Sequence, residues 1–105
     1  MLYILTVYKV TYSSAVADDL KSLRARKRTQ ILDEIDVLLT HELGRETRNR
    51  KILVGLVPPW EHVTPVWELR VGEYRVFYDI DEKAKLVLVR AIRPEPPHKT
   101  TGESL

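Results

Sequence analysis

The stretch from residue 67 to residue 81 decides the fold of this chain, and it reads Trp67-Glu68-Leu69-Arg70-Val71-Gly72-Glu73-Tyr74-Arg75-Val76-Phe77-Tyr78-Asp79-Ile80-Asp81. Apolar and charged residues alternate before the glycine, which is the period of a β-strand with one buried face. Gly72 and Glu73 then make a two-residue connection, and glycine in its first position favours a type II′ turn. We therefore predict an antiparallel hairpin with a return strand over residues 74–80.

The register of this hairpin places two arginines side by side. Closing the hairpin at its two-residue turn pairs Arg70 with Arg75, and the alternation of faces puts Glu68 on the same side. Two opposed guanidinium groups repel each other unless an anion lies beside them. A phosphate satisfies that requirement, because the rigid guanidinium fork donates two parallel hydrogen bonds to it. Surface ion pairs with Glu68, Glu73 or Asp79 satisfy it equally well, so the spacing alone leaves both interpretations open.

The first 44 residues are predicted to form a strand followed by two helices. Residues 2–12 are rich in β-branched and aromatic types, which favour a strand. Ser13-Ser14 supplies an N-cap for the first helix, because a serine hydroxyl accepts a hydrogen bond from the free amides of the first turn. The helical spacing lapses over the basic residues 24–29, which we interpret as an elbow, and resumes until Gly44 ends the second helix. The core-facing positions are Val16, Leu20 and Leu23 in the first helix and Ile31, Ile35, Leu38 and Leu39 in the second.

The rest of the chain predicts one more strand and two irregular segments. Residues 45–51 are polar and strongly basic, so we expect a surface loop there. Pro65 limits how far the first hairpin strand extends toward the N-terminus. Residues 85–92 are rich in valine and leucine and predict the third strand of a meander. We expect residues 1–93 to form one domain and the proline-containing residues 94–105 to form an extended tail.

This order of elements predicts an α+β domain in which an N-terminal strand, a helical hairpin and a three-stranded antiparallel meander form one curved sheet. A chain of 105 residues has the length of one domain, about 100–150 residues. An antiparallel sheet of this kind buries one face against the helices and leaves the other face free. Tyr78 is three residues from Arg75 on the same strand, so its side chain lies on the opposite face and is expected in the core. We therefore look for function on the free face, which carries Arg75.

The composition excludes several kinds of site. The chain has no cysteine, which removes disulfides, thiolate nucleophiles and sulfur-rich zinc sites and fits a reducing compartment. His41 and His62 have no partners at ligand spacing, so we expect no metal. Residues 2–7 are too short for a signal peptide, and no apolar run approaches the ~20 residues of a membrane span. The net charge is +2, but the cations gather at residues 21–28 and 45–51, where they either attract phosphate or are solvated surface charges.

The hairpin closely resembles the signature hairpin of RelE/ParE toxins, in which a Tyr-Arg-x-x-Tyr stretch follows a strand that ends in Leu-Arg. Tyr12-Ser13 followed by Ala17-x-x-Leu20 is similar to the family's first strand and helix, and residues 47–53 are similar to its loop before the central sheet. Altogether about residues 8–93 fit the family pattern. The resemblance implies a cytoplasmic toxin of a type II toxin–antitoxin system that needs no cofactor. It also implies a cognate antitoxin as partner, with operator DNA contacted only through that antitoxin.

The ribonuclease branch of the family implies metal-independent cleavage of mRNA in the ribosomal A site, by attack of the 2′-OH on the adjacent phosphorus. Arg75 then matches the phosphate-stabilising arginine, and Arg70 matches a second basic position. Glu68 lies where several members carry lysine, and it either acts as the base or only forms a salt bridge with the arginines. The ribonucleases commonly carry a tyrosine near the C-terminus, whereas this chain has no aromatic residue after Tyr78, so His98 is the candidate for proton transfer. The positions expected to bind RNA are Arg48, Arg50, Lys51, Arg93 and Lys99, of which the first three would also face acidic residues of the antitoxin.

Two other functions stay open on the same scaffold. One is a ParE-like toxin that inhibits gyrase by binding and performs no chemistry. The other is a degenerate member whose only activity is to bind an antitoxin. The intact pair of Arg70 and Arg75 argues against the degenerate case.

Overall fold

The computed structural model describes residues 8–38, 46–55 and 57–95. In chain order the elements are β1 (Lys9–Tyr12), α1 (Ser14–Lys21), α2 (Ala25–Leu38), β2 (Arg50–Leu53), β3 (Val66–Val71), β4 (Tyr74–Asp81) and β5 (Leu86–Pro94). The strands form a five-stranded sheet in the order β1-β5-β4-β3-β2, with β1 parallel to β5 and all other neighbours antiparallel. This arrangement confirms the predicted α+β fold class. Of the first strand, predicted over residues 2–12, residues 9–12 form β1. Residues 2–7 of that prediction, the helix end at Gly44 and the tail beyond Glu95 lie outside the described residues.

The hairpin of β3 and β4 has the predicted register. Val71 pairs with Tyr74 and Arg70 pairs with Arg75, on either side of the two-residue turn. Gly72 alone in this turn has a positive φ, of 57°, as a type II′ turn requires. β3 begins directly after Pro65, where the proline was expected to limit it.

The two helices form as predicted, but the joint between them is shorter. The Ser13 hydroxyl accepts a hydrogen bond from the amide of Val16 at 3.3 Å, so it caps α1. α2 already begins at Ala25, and most of the basic residues assigned to an elbow therefore belong to its first turn. The short joint has a local explanation. Arg28 of α2 donates hydrogen bonds to the carbonyls of Leu20 and Leu23, which lie at and just after the C-terminal end of α1. Within the described part of the chain, no helix is long and apolar enough to cross a membrane.

The core lies between the helices and one face of the sheet. Tyr78 is fully buried there, as its parity predicted, and stacks on Trp67 with ring centroids 6.1 Å apart. Burial of this apolar surface is the main driving force for the domain. The buried core residues are Val16, Ile31, Ile35, Trp67, Leu69, Val71, Val76, Tyr78, Val87, Val89 and Ile92.

One strand, β2, was not predicted. Residues 45–51 were expected to form a surface loop, whereas Arg50–Leu53 pairs with β3 at the edge of the sheet, with Arg50 opposite Leu69 and Lys51 opposite Glu68. The prediction was wrong because a four-residue edge strand that contains two cations has too weak an apolar alternation to be seen in the sequence. The pairing matters for function, since it fixes the faces on which Arg50 and Lys51 lie.

The second face of the sheet is only partly free, which corrects the expectation of an open face. Trp60, from the segment between β2 and β3, lies over Phe77 with ring centroids 5.4 Å apart. The amide of Val63 donates to the carboxylate of Asp79 at 3.1 Å and fixes the same segment further along β4. The segment contains buried Pro58 and covers this end of the face. At the other end of this face Arg70 is exposed, whereas its neighbour Arg75 is buried.

Candidate active site

Three arginines lie next to one another across the sheet. Arg70 of β3 pairs with Arg75 of β4, and Arg75 pairs in turn with Arg93 of β5. The second of these pairings depends on a bulge, because the register shifts between Phe77 and Tyr78. A row of like charges across neighbouring strands is unfavourable unless carboxylates accompany it. The structure supplies one carboxylate or more to each of the three.

Arg75 and Glu68 form a buried ion pair at the centre of this row. Arg75 is 3% exposed and Glu68 is 1% exposed, and Arg75 Nη1 lies 3.5 Å from Glu68 Oε2. Lys51 Nζ lies 3.9 Å from the other oxygen, Glu68 Oε1, and its side chain is half exposed. Removing water from two charges is costly, so a buried pair of this kind is weak evidence for stability by itself. Such a pair beside a cleft is instead a candidate for a functional site, because it holds a carboxylate and a guanidinium in fixed positions.

A second carboxylate, from Glu95, lies between the two arginines of the hairpin. Glu95 Oε1 accepts a short hydrogen bond from Arg75 Nη2 and lies 3.2 Å from Arg70 Nη2. The backbone amide of Glu95 donates to the carbonyl of Glu73 at 2.7 Å, which holds the residue beside the hairpin turn. The hydrogen bond from Arg75, with the charges of Arg75, Arg70 and Lys51, lowers the pKa of the Glu95 carboxyl below its ordinary value. Glu95 is therefore an ionised ligand of the arginine pair at neutral pH.

An open pocket adjoins Glu68 on the side of β2. Its volume is about 230 Å³, below the 300–1,000 Å³ typical of sites for drug-sized ligands. The carbonyl of Asn49 accepts from the amide of Arg70 at 2.7 Å and so joins the turn before β2 to β3. Cations dominate the lining, which makes the pocket suitable for a single anionic group. The lining residues are Arg48, Asn49, Lys51, Glu68 and Arg70.

The predicted site residues are only partly brought together. Glu68, Arg70 and Arg75 form the centre, and Arg48 and Lys51 line the adjoining pocket. Arg50 does not join them, because it is 6% exposed and pairs with Leu69, which puts it on the core face. There its charge opposes the rise in the pKa of Tyr78 that burial causes.

Arg93 lies in the arginine row but turns to other partners. Its Nη1 donates to Asp19 of α1 at 2.8 Å, and its guanidinium lies 5.7 Å from the ring centre of Trp60. His98 and Lys99 lie outside the described residues. His62 approaches the carbonyl of Trp60 at 3.0 Å through Nδ1. Among residues 8–38, 46–55 and 57–95, no group of histidine and acidic side chains has the arrangement of a metal site.

Sequence reasoning missed Glu95 as a member of the site. The repulsion between Arg70 and Arg75 signalled that an anion was needed, but Glu68, Glu73 and Asp79 were the acids considered. Glu95 was assigned to the tail, whereas β5 continues to Pro94, which pairs with Tyr74 and leaves Glu95 beside the turn. Extending the third strand until it met the hairpin turn would have identified it.

Comparisons with known proteins bear on the family and the fold of the chain. A family model described as the ParE toxin of the type II toxin–antitoxin system parDE matches residues 10–95. No curated protein matches the sequence significantly. Among solved structures, a chain of the archaeal RelE–RelB complex from Pyrococcus horikoshii has 24% identity and a TM-score of 0.66, covering 87% of this chain and 98% of that one. A chain of the RelBE2 toxin–antitoxin complex from Mycobacterium tuberculosis has 21% identity and a TM-score of 0.67 (86% and 93% covered), and isolated E. coli RelE has 16% and 0.64 (91% and 93% covered). At these identities the structures establish a shared fold.

Proposed function

We propose that this chain, which belongs to the ParE toxin family of type II toxin–antitoxin systems, is an endoribonuclease that inhibits translation by cutting mRNA on the ribosome. The observation that carries the proposal is the pair of Glu68 and Arg75, which combines a carboxylate and a guanidinium at the edge of a cationic pocket. Cleavage of RNA without a metal needs a base, a proton donor and cations around one phosphate. The first and the last of these are supported by the described residues.

The proposed reaction begins when the 2′-OH attacks the adjacent phosphorus. The carboxylate of Glu68 takes the proton of that hydroxyl as the oxygen–phosphorus bond forms. Negative charge builds on the two non-bridging oxygens, and Arg75 and Arg70 stabilise it through charge-assisted hydrogen bonds. The bond to the 5′-oxygen then breaks, giving a 2′,3′-cyclic phosphate and a 5′-hydroxyl once the leaving oxygen has received a proton. His98, which lies outside the described residues, stays the predicted donor of that proton.

Binding of the RNA strand is assigned to the rim of the pocket. Arg48 and Lys51 are exposed, and they flank Glu68 where the neighbouring phosphates of a strand would pass. Contacts to phosphate supply most of the affinity of such proteins without regard to sequence. Arg50 is left out of this set because it is buried on the opposite face.

A cognate antitoxin is the proposed protein partner, with operator DNA reached only through it. The solved relatives from P. horikoshii and M. tuberculosis are toxin–antitoxin complexes. An acidic stretch of the antitoxin would neutralise Arg48 and Lys51 and so block the pocket. Part of that affinity should be lost at high salt, because the screening length falls to ~3 Å at 1 M.

Inhibition of gyrase is the second candidate, and two observations favour it. The matching family model describes ParE toxins, and Arg75 is only 3% exposed, which leaves little of its guanidinium open to RNA. A toxin that acts by binding needs no accessible catalytic arginine.

Two assays on the same purified protein distinguish the candidates. Ribosomes that carry a defined mRNA with an empty A site should show new 5′ ends by primer extension if the ribonuclease proposal is right. In the second assay, gyrase is incubated with relaxed plasmid and this protein, and it should then supercoil the plasmid at the same rate as without the protein. Intact mRNA together with loss of supercoiling would replace the first proposal by the second.

A further inference from the structure

Glu95 occupies the place in which a phosphate bound to the hairpin would lie. One oxygen of its carboxylate is shared by Arg75 Nη2 and by Arg70 Nη2, the second at 3.2 Å. A phosphate held by the same two groups would put one of its oxygens at that position. The carboxylate and the phosphate cannot occupy it together.

The surroundings of Glu95 allow the carboxylate to leave. The side chain is 28% exposed, whereas that of Arg75 is 3% exposed, so the arginine is fixed and its partner reaches solvent. The backbone of Glu95 is held by its bond to the carbonyl of Glu73, and this bond does not depend on the position of the side chain. A rotation of the side chain would thus expose Arg75 while the end of β5 stays in place.

We propose that Glu95 is an internal competitor of the substrate, a carboxylate that closes the arginine site in the free protein and swings out when a phosphate binds. The inference rests on the proposed function in that it takes the displacing group to be a phosphate of RNA. It explains why the arginine expected to stabilise the reaction is buried in the absence of substrate. It also restricts which anions can bind to the site, since a weak or singly charged anion must displace a carboxylate that already has two cationic partners.

Glu95 also stabilises the free protein. Without it, Arg70 and Arg75 would face each other with one carboxylate fewer to offset the repulsion of their guanidinium groups. The contact of Glu95 with the two arginines therefore reduces the repulsion between them and also lowers their affinity for other anions. The depressed pKa of the Glu95 carboxyl agrees with this role, because it keeps the competitor charged.

The test measures binding of inorganic phosphate to the full-length protein by NMR titration at constant ionic strength. Glu95→Gln keeps the size of the side chain and removes its charge, and we expect about three- to tenfold tighter binding, the scale of one partly exposed charged contact. Glu73→Gln is the matched control, because it removes the same charge from the hairpin turn that separates Arg70 and Arg75 in sequence. It should change the affinity less than twofold. In an Arg70→Gln background, Glu95→Gln should gain less than it does in the wild type, because one of its two cations is gone.

Phosphate binding that is no tighter in Glu95→Gln than in the wild type, including no detectable binding by either, would overturn the proposal. An equal gain in Glu73→Gln would also overturn it, since it would reduce the effect to net charge. Cleavage of mRNA is assayed separately on ribosomes. If phosphate binds more tightly to Glu95→Gln while neither protein cuts mRNA, the competitor is established and the ribonuclease proposal fails. If the wild type cuts mRNA and Glu95→Gln gains no affinity, the competitor alone fails.

Discussion

Two pairs of a buried carboxylate and an arginine lie on the same face of the sheet, and they differ in the geometry of their contacts. Asp79 accepts from Arg90 Nε at 2.9 Å and from Arg90 Nη2 at 3.3 Å, and the amide of Val63 adds a third bond at 3.1 Å. Glu68 and Arg75 approach each other only to 3.5 Å. Arg75 and Asp79 are four residues apart on β4, a distance of ~13 Å along a strand.

The difference lies in what covers each pair. The segment that carries Trp60 and Val63 adds a third hydrogen bond to the Asp79 carboxylate, which is 1% exposed, while Arg90 beside it is 18% exposed. Arg90 and Asp79 have bidentate geometry and are called the closed pair below. The pair of Glu68 and Arg75, called the open pair below, adjoins a pocket, and its arginine also binds Glu95, whose side chain is 28% exposed. Burial alone therefore does not distinguish a structural ion pair from a reactive one. In the function proposed above, a longer distance, an adjoining pocket and a displaceable second ligand mark the reactive pair.

The largest effect is expected at the closed pair. Asp79→Ala leaves Arg90 without its carboxylate and the Val63 amide without its acceptor, so it should cost about 3–5 kcal/mol of unfolding free energy, as breaking one side of a buried pair does. Urea unfolding measures it. The milder Asp79→Asn should keep enough folded protein to show unchanged cleavage of mRNA. A loss below ~1 kcal/mol for Asp79→Ala would mean that this pair is not the structural one.

At the open pair the expected effect is on activity. Arg75→Ala should lower ribosome-dependent cleavage by at least ~10²-fold, the scale of removing one positioned charge donor. Arg75→Lys should restore only part of it, because an ammonium cannot reproduce the bidentate fork. Arg75 is buried, so its removal also leaves Glu68 with a weaker partner, and unfolding must be measured beside activity.

Arg90→Lys is the matched control for Arg75→Lys, since it makes the same substitution in the closed pair. It should change stability and leave the rate of cleavage by folded protein within about twofold. Equal losses of activity in the two lysine variants would remove the distinction between the pairs.

The sequence predicted the hairpin and the neighbouring positions of Arg70 and Arg75, because a two-residue turn fixes the register and alternation fixes the face. It did not predict which of the two arginines would be buried. That depends on the cover supplied by an irregular segment and on Glu95, both of which are tertiary contacts. The register that brings Arg93 beside Arg75 includes a bulge at Arg90 of β5, since Phe77 pairs with Ala91 and Tyr78 pairs with Val89. The position of a bulge is not visible in an apolar pattern.

The two cations at the start of β2 illustrate the same limit. Arg50 and Lys51 are consecutive, so in a strand one must face the core and the other the pocket. Their charges are equal, and no hydropathy pattern separates them. The pairing with Leu69 and Glu68 decides the matter and sends Arg50 inward.

A smaller effect is expected at the rim of the open pair. Lys51→Gln and Arg48→Gln should each weaken ribosome binding about three- to tenfold at low salt, with a smaller difference at high salt, because they remove phosphate contacts and leave the reacting groups in place. Lys83→Gln is the control, since Lys83 is an exposed cation in the turn between β4 and β5 at the other end of the sheet. If all three variants weaken binding equally, net charge and not the rim would account for the loss.

The smallest expected effect is the pH dependence of the stabilisation that Glu95 gives to the open pair. The folded-state pKa of Glu95 is lowered, so its contribution to stability is present above the ordinary pKa of 4.5 and is lost as the pH falls through the folded value. Glu95→Gln should therefore melt a little below the wild type at pH 7, and the gap in melting temperature should close as the pH falls below the ordinary pKa of 4.5. The effect is small because the Glu95 side chain reaches solvent, which screens its contacts with the arginines. A gap that stays constant from pH 7 to pH 3 would mean that Glu95 stabilises the hairpin without its charge, and the open pair would then resemble the closed one.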